Sequence, residues 1–509
     1  MELNVVKNAK KNMLFGAINK IIVMLCPFVE KTVIVYILGA QYLGLSSLYT
    51  SILSVLSLTE LGFGSAMIYN MYKPAADGDT AKLNALLSFY RKAYRIIGCV
   101  VLGLGLVIIP LLPHLIKDSY PADINLTKLY LIYLINASIS YLSYGYLSSV
   151  LVVHQRNDIS SAINTFVKIL LVACQVVALL VTRNYYYFAL LMPVFTIVNN
   201  LWTAWRIKKL FPQYQADGDI DEADRSGIRK LVAGTFIQQA CSVTRNSLDS
   251  ICISAFLGLT LTAIYNNYFA ILTAINGFTL IINNSLQGGV GNHVATRSVS
   301  QNYEELKKLD FLYLWLGGWC TVCLLCLFQP FMALWMSDRM MLPFPCVCLL
   351  CVYFYLLKLG DMRFMYSSAK GLWWEQRYRA LAETTVNVVL NILLGRLYGV
   401  YGIIIATIIS LFFCNYLWSV SIVFKQYFTD ERKKDYYRYQ GEQSLVILVV
   451  CVLTYLFCSR VHTSSHIMTL IVRFLICLIL PNCVWILCYH RTDRYRYAKN
   501  TILKSIRGR

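Results

Sequence analysis

The sequence predicts an all-α polytopic membrane protein of about 14 transmembrane helices, from its composition, the length of its apolar blocks and the placement of its cations. Of 509 residues, 58% are hydrophobic and 14% charged, whereas soluble chains carry about a quarter charged residues. The apolar residues run in long blocks, among them 99–112, 159–181, 403–423 and 445–457, and about 20 such residues cross a bilayer. Lys and Arg gather in alternate connectors, as the positive-inside rule requires of a chain that crosses repeatedly.

Block length places the spans near 12–38, 44–70, 92–113, 126–152, 159–181, 185–206, 230–256, 261–288, 311–335, 343–368, 380–397, 402–424, 442–459 and 467–488. The first carries Lys20, Glu30 and Lys31 and is not followed by an A-x-A site, so it reads as a retained helix and not a signal peptide. Cation-rich connectors begin with Lys7, Lys10 and Lys11, continue with Lys73, Lys82, Arg91 and Lys92, and recur at Arg156, at Arg206 to Lys230, at Lys370, Arg377 and Arg379, and from Arg491 onward. The opposite connectors are poor in Lys and Arg. An even number of spans with both termini cytoplasmic follows.

The polar connector 208–229, acidic at Asp217, Asp219, Asp221, Glu222 and Asp224, separates an N-terminal six-helix lobe (1–207) from a C-terminal one (230–424). A cytoplasmic linker (425–441), two additional helices (442–490) and a basic tail (491–509) complete the chain. Leu38-Gly39 and Leu257-Gly258 stand at matching places, as do Gln155-Arg156 and Gln376-Arg377, both offset by roughly 220 residues. Each half holds an even number of spans, so the repeat is parallel, about a pseudo-twofold axis along the membrane normal.

A charge near the bilayer centre costs roughly 2.5–3.5 kcal/mol, so each buried one needs a partner, a cavity or a function. Lys20 and Lys31 are about three helical turns apart with Pro27 between them, a spacing that aligns them on one face; snorkelling by Lys20 and an ion pair at Lys31 are the structural alternatives. Gln238, Ser242, Arg245 and Asp249 share a face of the seventh span, and Glu30 and Asp249 occupy matching places in the repeat. Glu60 lies in the second span. Asn276, Thr279, Asn283 and Gln287 form a stripe in the eighth, and Glu383, Asn387 and Asn391 one in the eleventh, with interhelical hydrogen bonding the plainer account of the amides. Lys168, Lys358, Asp361 and Arg363 complete the set. A wet interior with cations in excess suits an anionic headgroup, which Lys and Arg hold by charge-assisted hydrogen bonds.

The net charge of +20 is spread over short connectors, which argues against nucleic acid as a partner. The six His occur singly, and there is no Gly-rich phosphate loop and no HExxH spacing. The 17 Cys sit inside apolar segments and read as small reduced hydrophobes; Cys346, Cys348 and Cys351 lack a His partner. Neither a metal nor a cofactor is expected. An H+ or Na+ gradient, the membrane potential or downstream consumption of the product must supply any energy.

The stretch LGAQYLGLSSLYTSILSVLSLTELGFGSAMIYNMYKPAADGD at 38–79 resembles the second-span signature of polysaccharide flippases, the Wzx-like branch of the multidrug/oligosaccharidyl-lipid/polysaccharide (MOP) exporter superfamily. RNSLDSICISAFLGLTLTAIYNNY (245–268), GGVGNHVATRSVSQNYEELKKLDF (288–311) and AKGLWWEQRYRALAETTVNVVLNILLGRLYGVYGIIIATIIS (369–410) resemble it further. The resemblance implies two six-helix lobes around a cation-lined cavity opening to each leaflet in turn. It also implies an undecaprenyl-pyrophosphate-linked oligosaccharide as substrate, an inner-membrane location, and no enzymatic activity. Lys20, Lys31, Arg245 and Lys168 are the expected pyrophosphate ligands, and Glu30, Glu60 and Asp249 the cavity or ion-coupling acids. Gln238, Ser242, Asn276, Asn283, Glu383 and Asn387 are the expected polar lining. A monomer served by polysaccharide polymerase and glycosyltransferases of one pathway fits the resemblance. A cation-coupled drug exporter wants an acid-dominated cavity, and a membrane-embedded polymerase or glycosyltransferase wants a long outer loop that this chain lacks.

Overall fold

The computed structural model describes residues 5–506 apart from Leu61, Asp118, His462 and Ser464; side chains are described over 11–500 except at those positions, Thr59, Ala223, Lys230, Leu231, 233–235 and Gln238. The candidate Gln238 thus lies outside the described side chains. Among the described residues there is helix and no strand. The first half runs α1 (Val5–Ile37), α2 (Ala40–Leu56), a 3-10 turn (Ser57–Glu60), α3 (Phe63–Asp77), α4 (Thr80–Ile108) with a 3-10 extension (Ile109–Leu115), α5 (Leu126–Leu142), α6 (Ser148–Val153), α7 (Asn157–Thr182), α8 (Tyr185–Leu210) and α9 (Glu222–Leu257). There follow α10 (Leu259–Thr296), α11 (Val299–Met336), α12 (Phe344–Ala369), α13 (Arg377–Ser410), a π-helical stretch (Leu411–Trp418), α14 (Ser419–Gln426), α15 (Lys433–Ser459), α16 (His466–Tyr489) and α17 (Asp493–Ile506).

Among the described residues nine helical rods are long and apolar enough to cross a membrane. Taking 40–77, 80–115 and 126–153 as single broken spans, and 377–426 as two, gives fourteen. The division of 377–426 is forced at Gly399, whose φ of 60° and ψ of −136° interrupt the helix. Asn387 Nδ2 donates to Thr407 Oγ1 across 3.1 Å, whereas 20 residues of unbroken helix would hold them about 30 Å apart. The two arms are therefore antiparallel. Their approach is close enough that a Cβ on Gly402 would lie 1.9 Å from the Leu394 carbonyl oxygen.

The chain is a multi-pass membrane protein, and its outer surface says why. Large apolar side chains such as Val181 (77% exposed) and Leu487 (71%) stand out from the helices in numbers that water would not tolerate but lipid would.

By packing, the chain divides into two compact units, Met1–Ala263 and Ile264–Arg509. In the first, α1 lies along α7, α5 and α7 both pack on α8, and α2 meets α9. In the second, α11 is the central rod, packed on α12, α15 and α16. Gly317 and Gly318 permit those approaches: a Cβ would sit 3.0 Å from Lys358 Cβ at the first and 2.8 Å from Ile447 Cδ1 at the second.

The expected repeat has a local signature. Gly39 after α1 (φ 113°, ψ 169°) and Gly258 after α9 (φ 95°, ψ 172°) take nearly one conformation, open only to glycine, and each joins its helix to the next without a loop. The second matched pair differs, since Gln155 has φ 54° and Gln376 φ −80°. The connector expected at 208–229 is largely helical at its ends, with only 211–221 between α8 and α9. That segment is bound to its own unit: Lys92 Nζ reaches Asp219 at 2.6 Å, Asn84 bonds Gln213 O and Gln215 N, and Phe211, Tyr214, Ala216 and Ile220 are buried.

Candidate functional site

In the first unit the second span is broken where it carries its acid. The sequence S-L-T-E-L-G-F-G takes a 3-10 turn over Ser57–Glu60, and Gly62 then adopts the left-handed conformation (φ 83°) from which α3 restarts. Glu60 sits at that break. Its Oε1 accepts a hydrogen bond from the Tyr94 hydroxyl at 2.5 Å, and Tyr90 donates to Tyr94 at 3.0 Å. Tyr94 lies edge-on to Tyr90 and Tyr141. Gly64 makes room for this group, because a Cβ there would stand 3.0 Å from the Tyr90 hydroxyl. No Lys or Arg pairs with Glu60 among the described residues.

The other sequence candidates of this unit are distributed differently. Glu30 on α1 and Lys168 on α7 form one ion pair, Nζ to Oε1 2.5 Å, so an expected acid and an expected phosphate ligand neutralise each other. Lys20 is exposed and Lys31 half-buried, so the two cations of α1 differ in environment. On α9 Arg245 and Asp249 are buried, at 8% and 3% exposure, while Ser242 is exposed.

The second unit holds a denser cluster. Lys358 on α12, 2% exposed, donates from Nζ to Asp361 Oδ2 at 2.6 Å, Asn276 Oδ1 at 2.7 Å and Thr279 Oγ1 at 3.1 Å. With the Tyr313 hydroxyl at 3.4 Å, these acceptors occupy all three protons of the ammonium group. Tyr313 on α11 donates to the same Asp361 oxygen at 2.6 Å, and its hydroxyl also contacts Asn283. On the next helix, α13, Arg379 Nη1 pairs with Glu383 Oε2 at 2.6 Å, both nearly inaccessible, and Asn415 donates to that oxygen at 2.9 Å. Asn391 donates to Asn387, which donates to Thr407, so the stripe of α13 is an internal hydrogen-bonded ladder. Arg379 is thus a buried partner and not the connector cation that its sequence position suggested.

Beside the Lys358 cluster opens an apolar groove of about 590 Å³ between α10, α11 and α16, lined by Ile282, Leu286, Leu312, Leu478 and Asn482, with Tyr313 forming part of its wall. Tyr313 therefore belongs to both, lining the groove and setting its hydroxyl on Asp361. Sequence reasoning missed Tyr94, Tyr313, Arg379 and Asn415, because a lone Tyr in a membrane helix reads as an interface anchor and helix register alone does not reveal an interhelical partner.

No protein-family model matches the sequence, and no curated protein matches it. Solved structures do match in three dimensions. A structure titled lipid II flippase MurJ, in an inward closed conformation, aligns with a TM-score of 0.63 at 14% identity, covering 94% of this chain and 99% of that one. An inward-facing multidrug resistance MATE family transporter of the MOP superfamily aligns at 0.61 and 14% identity, over 78% of this chain and 93% of that one. The MATE multidrug transporter DinF-BH gives 0.58 at 12% identity, over 84% of this chain and 96% of that one. The chain shares their all-α polytopic fold of about 14 helices.

Proposed function

We propose that the protein is a flippase that moves an undecaprenyl-pyrophosphate-linked oligosaccharide repeat unit of a capsule or O-antigen polysaccharide from the inner to the outer leaflet of the cytoplasmic membrane. The observation that carries this reading is the shared wall at Tyr313: an apolar groove of about 590 Å³ adjoins the buried ion pair of Lys358 and Asp361. A prenyl chain suits the first, and a pyrophosphate would compete with Asp361 for the Lys358 ammonium, so an amphipathic ligand uses both. The motifs at 38–79 and 369–410 and the fold shared with a lipid II flippase support the same substrate class. Within the first unit, Arg245, Lys31 and Lys20 are the phosphate-binding candidates of this proposal, with both termini cytoplasmic. The polymerase and glycosyltransferases of the pathway would be its partners, and an H+ or Na+ gradient its energy source.

Deleting the gene should remove surface polysaccharide and accumulate the lipid-linked unit in the cytoplasmic leaflet, where mass spectrometry identifies the glycan. Unchanged surface polysaccharide without accumulation would sink the proposal. A cation-coupled drug exporter is the second reading, favoured by one observation: the Glu60 carboxylate lies among aromatic rings, a setting that suits an organic cation. Loss of drug resistance in the deletion strain, with polysaccharide intact, would select it.

A further inference from the structure

We propose that Cys326, Cys458 and Cys477 form a binding site for one soft divalent metal ion of the zinc type, tying α15 and α16 to α11 within the second unit. The three thiols come from three different helices, none is more than 2% exposed, and all three sulfur atoms lie within 4.8 Å of one another. Cys458 Sγ and Cys477 Sγ are 4.0 Å apart. Thiolates bound at the Zn–S length of about 2.3 Å stand about 3.8–4.0 Å from each other, so ligation requires side-chain shifts of less than about 1 Å.

The surroundings favour an ion over simple packing. Cys323 precedes Cys326 in a C-x-x-C spacing on α11, and its thiol contacts Cys477, which brings a fourth sulfur to the group. Arg473 lies against the cluster: its carbonyl accepts from Cys458 Sγ at 3.9 Å and its Nη2 holds the Val461 carbonyl at 3.1 Å, while its buried Nε has no hydrogen-bond partner. Three thiolates and a divalent ion carry a single net negative charge, which Arg473 cancels; a monovalent ion would leave that charge uncompensated in a low-dielectric surrounding. Ligation releases one proton per thiol, which leaves to solvent along the route by which the ion enters. Cys458 is the penultimate residue of α15, so that route is the C-terminal end of this helix.

The test uses the full chain, purified in detergent under reducing conditions, stripped with a chelator and titrated with Zn2+ and with Cd2+. One ion per chain should bind, Cd2+ should produce ultraviolet thiolate-to-metal charge-transfer absorption, and Zn2+ should raise the unfolding temperature of the unsubstituted chain. Cys458→Ser and Cys477→Ala should each abolish that absorption, while Cys346→Ser, outside the cluster, should leave it unchanged. A folded unsubstituted chain that takes up no stoichiometric metal overturns the proposal, as does equal binding by the Cys458→Ser variant. Formation of a Cys458–Cys477 disulfide in air without metal uptake by the reduced chain also overturns it.

Discussion

The Glu60 carboxylate and the Tyr94 hydroxyl meet at 2.5 Å where the second span is unwound between α2 and α3. Glu60 has neutral hydroxyl donors and no Lys or Arg partner among the described residues, whereas Glu30 is tied to Lys168. Glu60→Gln should leave protein abundance unchanged and abolish the dependence of transport on an imposed proton gradient in vesicles. Transport that still follows the gradient in this variant would remove Glu60 from the coupling step.

Lys358 and Asp361 give a second prediction. Removing either charge alone strands the other, at a cost of about 3–5 kcal/mol. Lys358→Ala and Asp361→Ala should each lower the unfolding temperature in detergent sharply, and the double variant should recover most of the loss. If the double variant is stable but inactive in export, the pair serves substrate and not the fold alone.

The groove can be filled from its rim. Leu478 on α16 lines it yet is 44% exposed, so a larger side chain there does not force the core apart. Leu478→Trp should reduce flipping of the lipid-linked unit in reconstituted vesicles and leave thermal stability within about 0.5 kcal/mol. Normal flipping by a folded variant would show that the prenyl chain lies elsewhere.

Much of this architecture was readable along the chain, for reasons that also explain what was not. Apolar blocks and alternating cations suffice for the spans, because a bilayer imposes length and sidedness on each helix separately. The break at Ser57–Glu60 was not legible, since Leu56, Leu58 and Leu61 keep the stretch apolar and only the Gly62 conformation ends it. Partners were hardest of all. Glu30 and Lys168 are separated by 138 residues and join only because α1 packs along α7 in one register. Lys358 and Asp361, one helical turn apart, could be paired from sequence.

Gly44 lies in the stretch that resembles the flippase signature, and its packing explains the small residue. A Cβ there would stand 2.2 Å from the Leu259 carbonyl oxygen, and backbone cannot swing aside. Gly44→Ala should destabilise the first unit by about 1–3 kcal/mol and lower the amount of folded protein extracted from membranes. Unchanged yield and melting would mean that α2 and the start of α10 separate freely.

His154, at the end of α6, holds the 211–221 connector through the Tyr214 hydroxyl at 3.0 Å and the Phe211 ring. Burial lowers its pKa below the ordinary 6.5, against an upward pull from the Val150 carbonyl. The neutral ring is therefore the folded form. This contact has its full stability above the unfolded value and loses it as the pH falls from there through the folded value. Hydrogen exchange at 211–216 should accelerate on mild acidification, and His154→Gln should remove that response.

The same connector bears on how the protein can be handled. A stretch that looks in sequence like a loose acidic hinge is fastened at Asn84, Lys92 and His154, so a reporter or affinity tag spliced into it would pull out the pins of the first unit. Between α14 and α15, Tyr427 and Phe428 are anchored on α11 and α12, but the exposed Thr429 and Asp430 beyond them bond to each other, and Asp430 is the better insertion point.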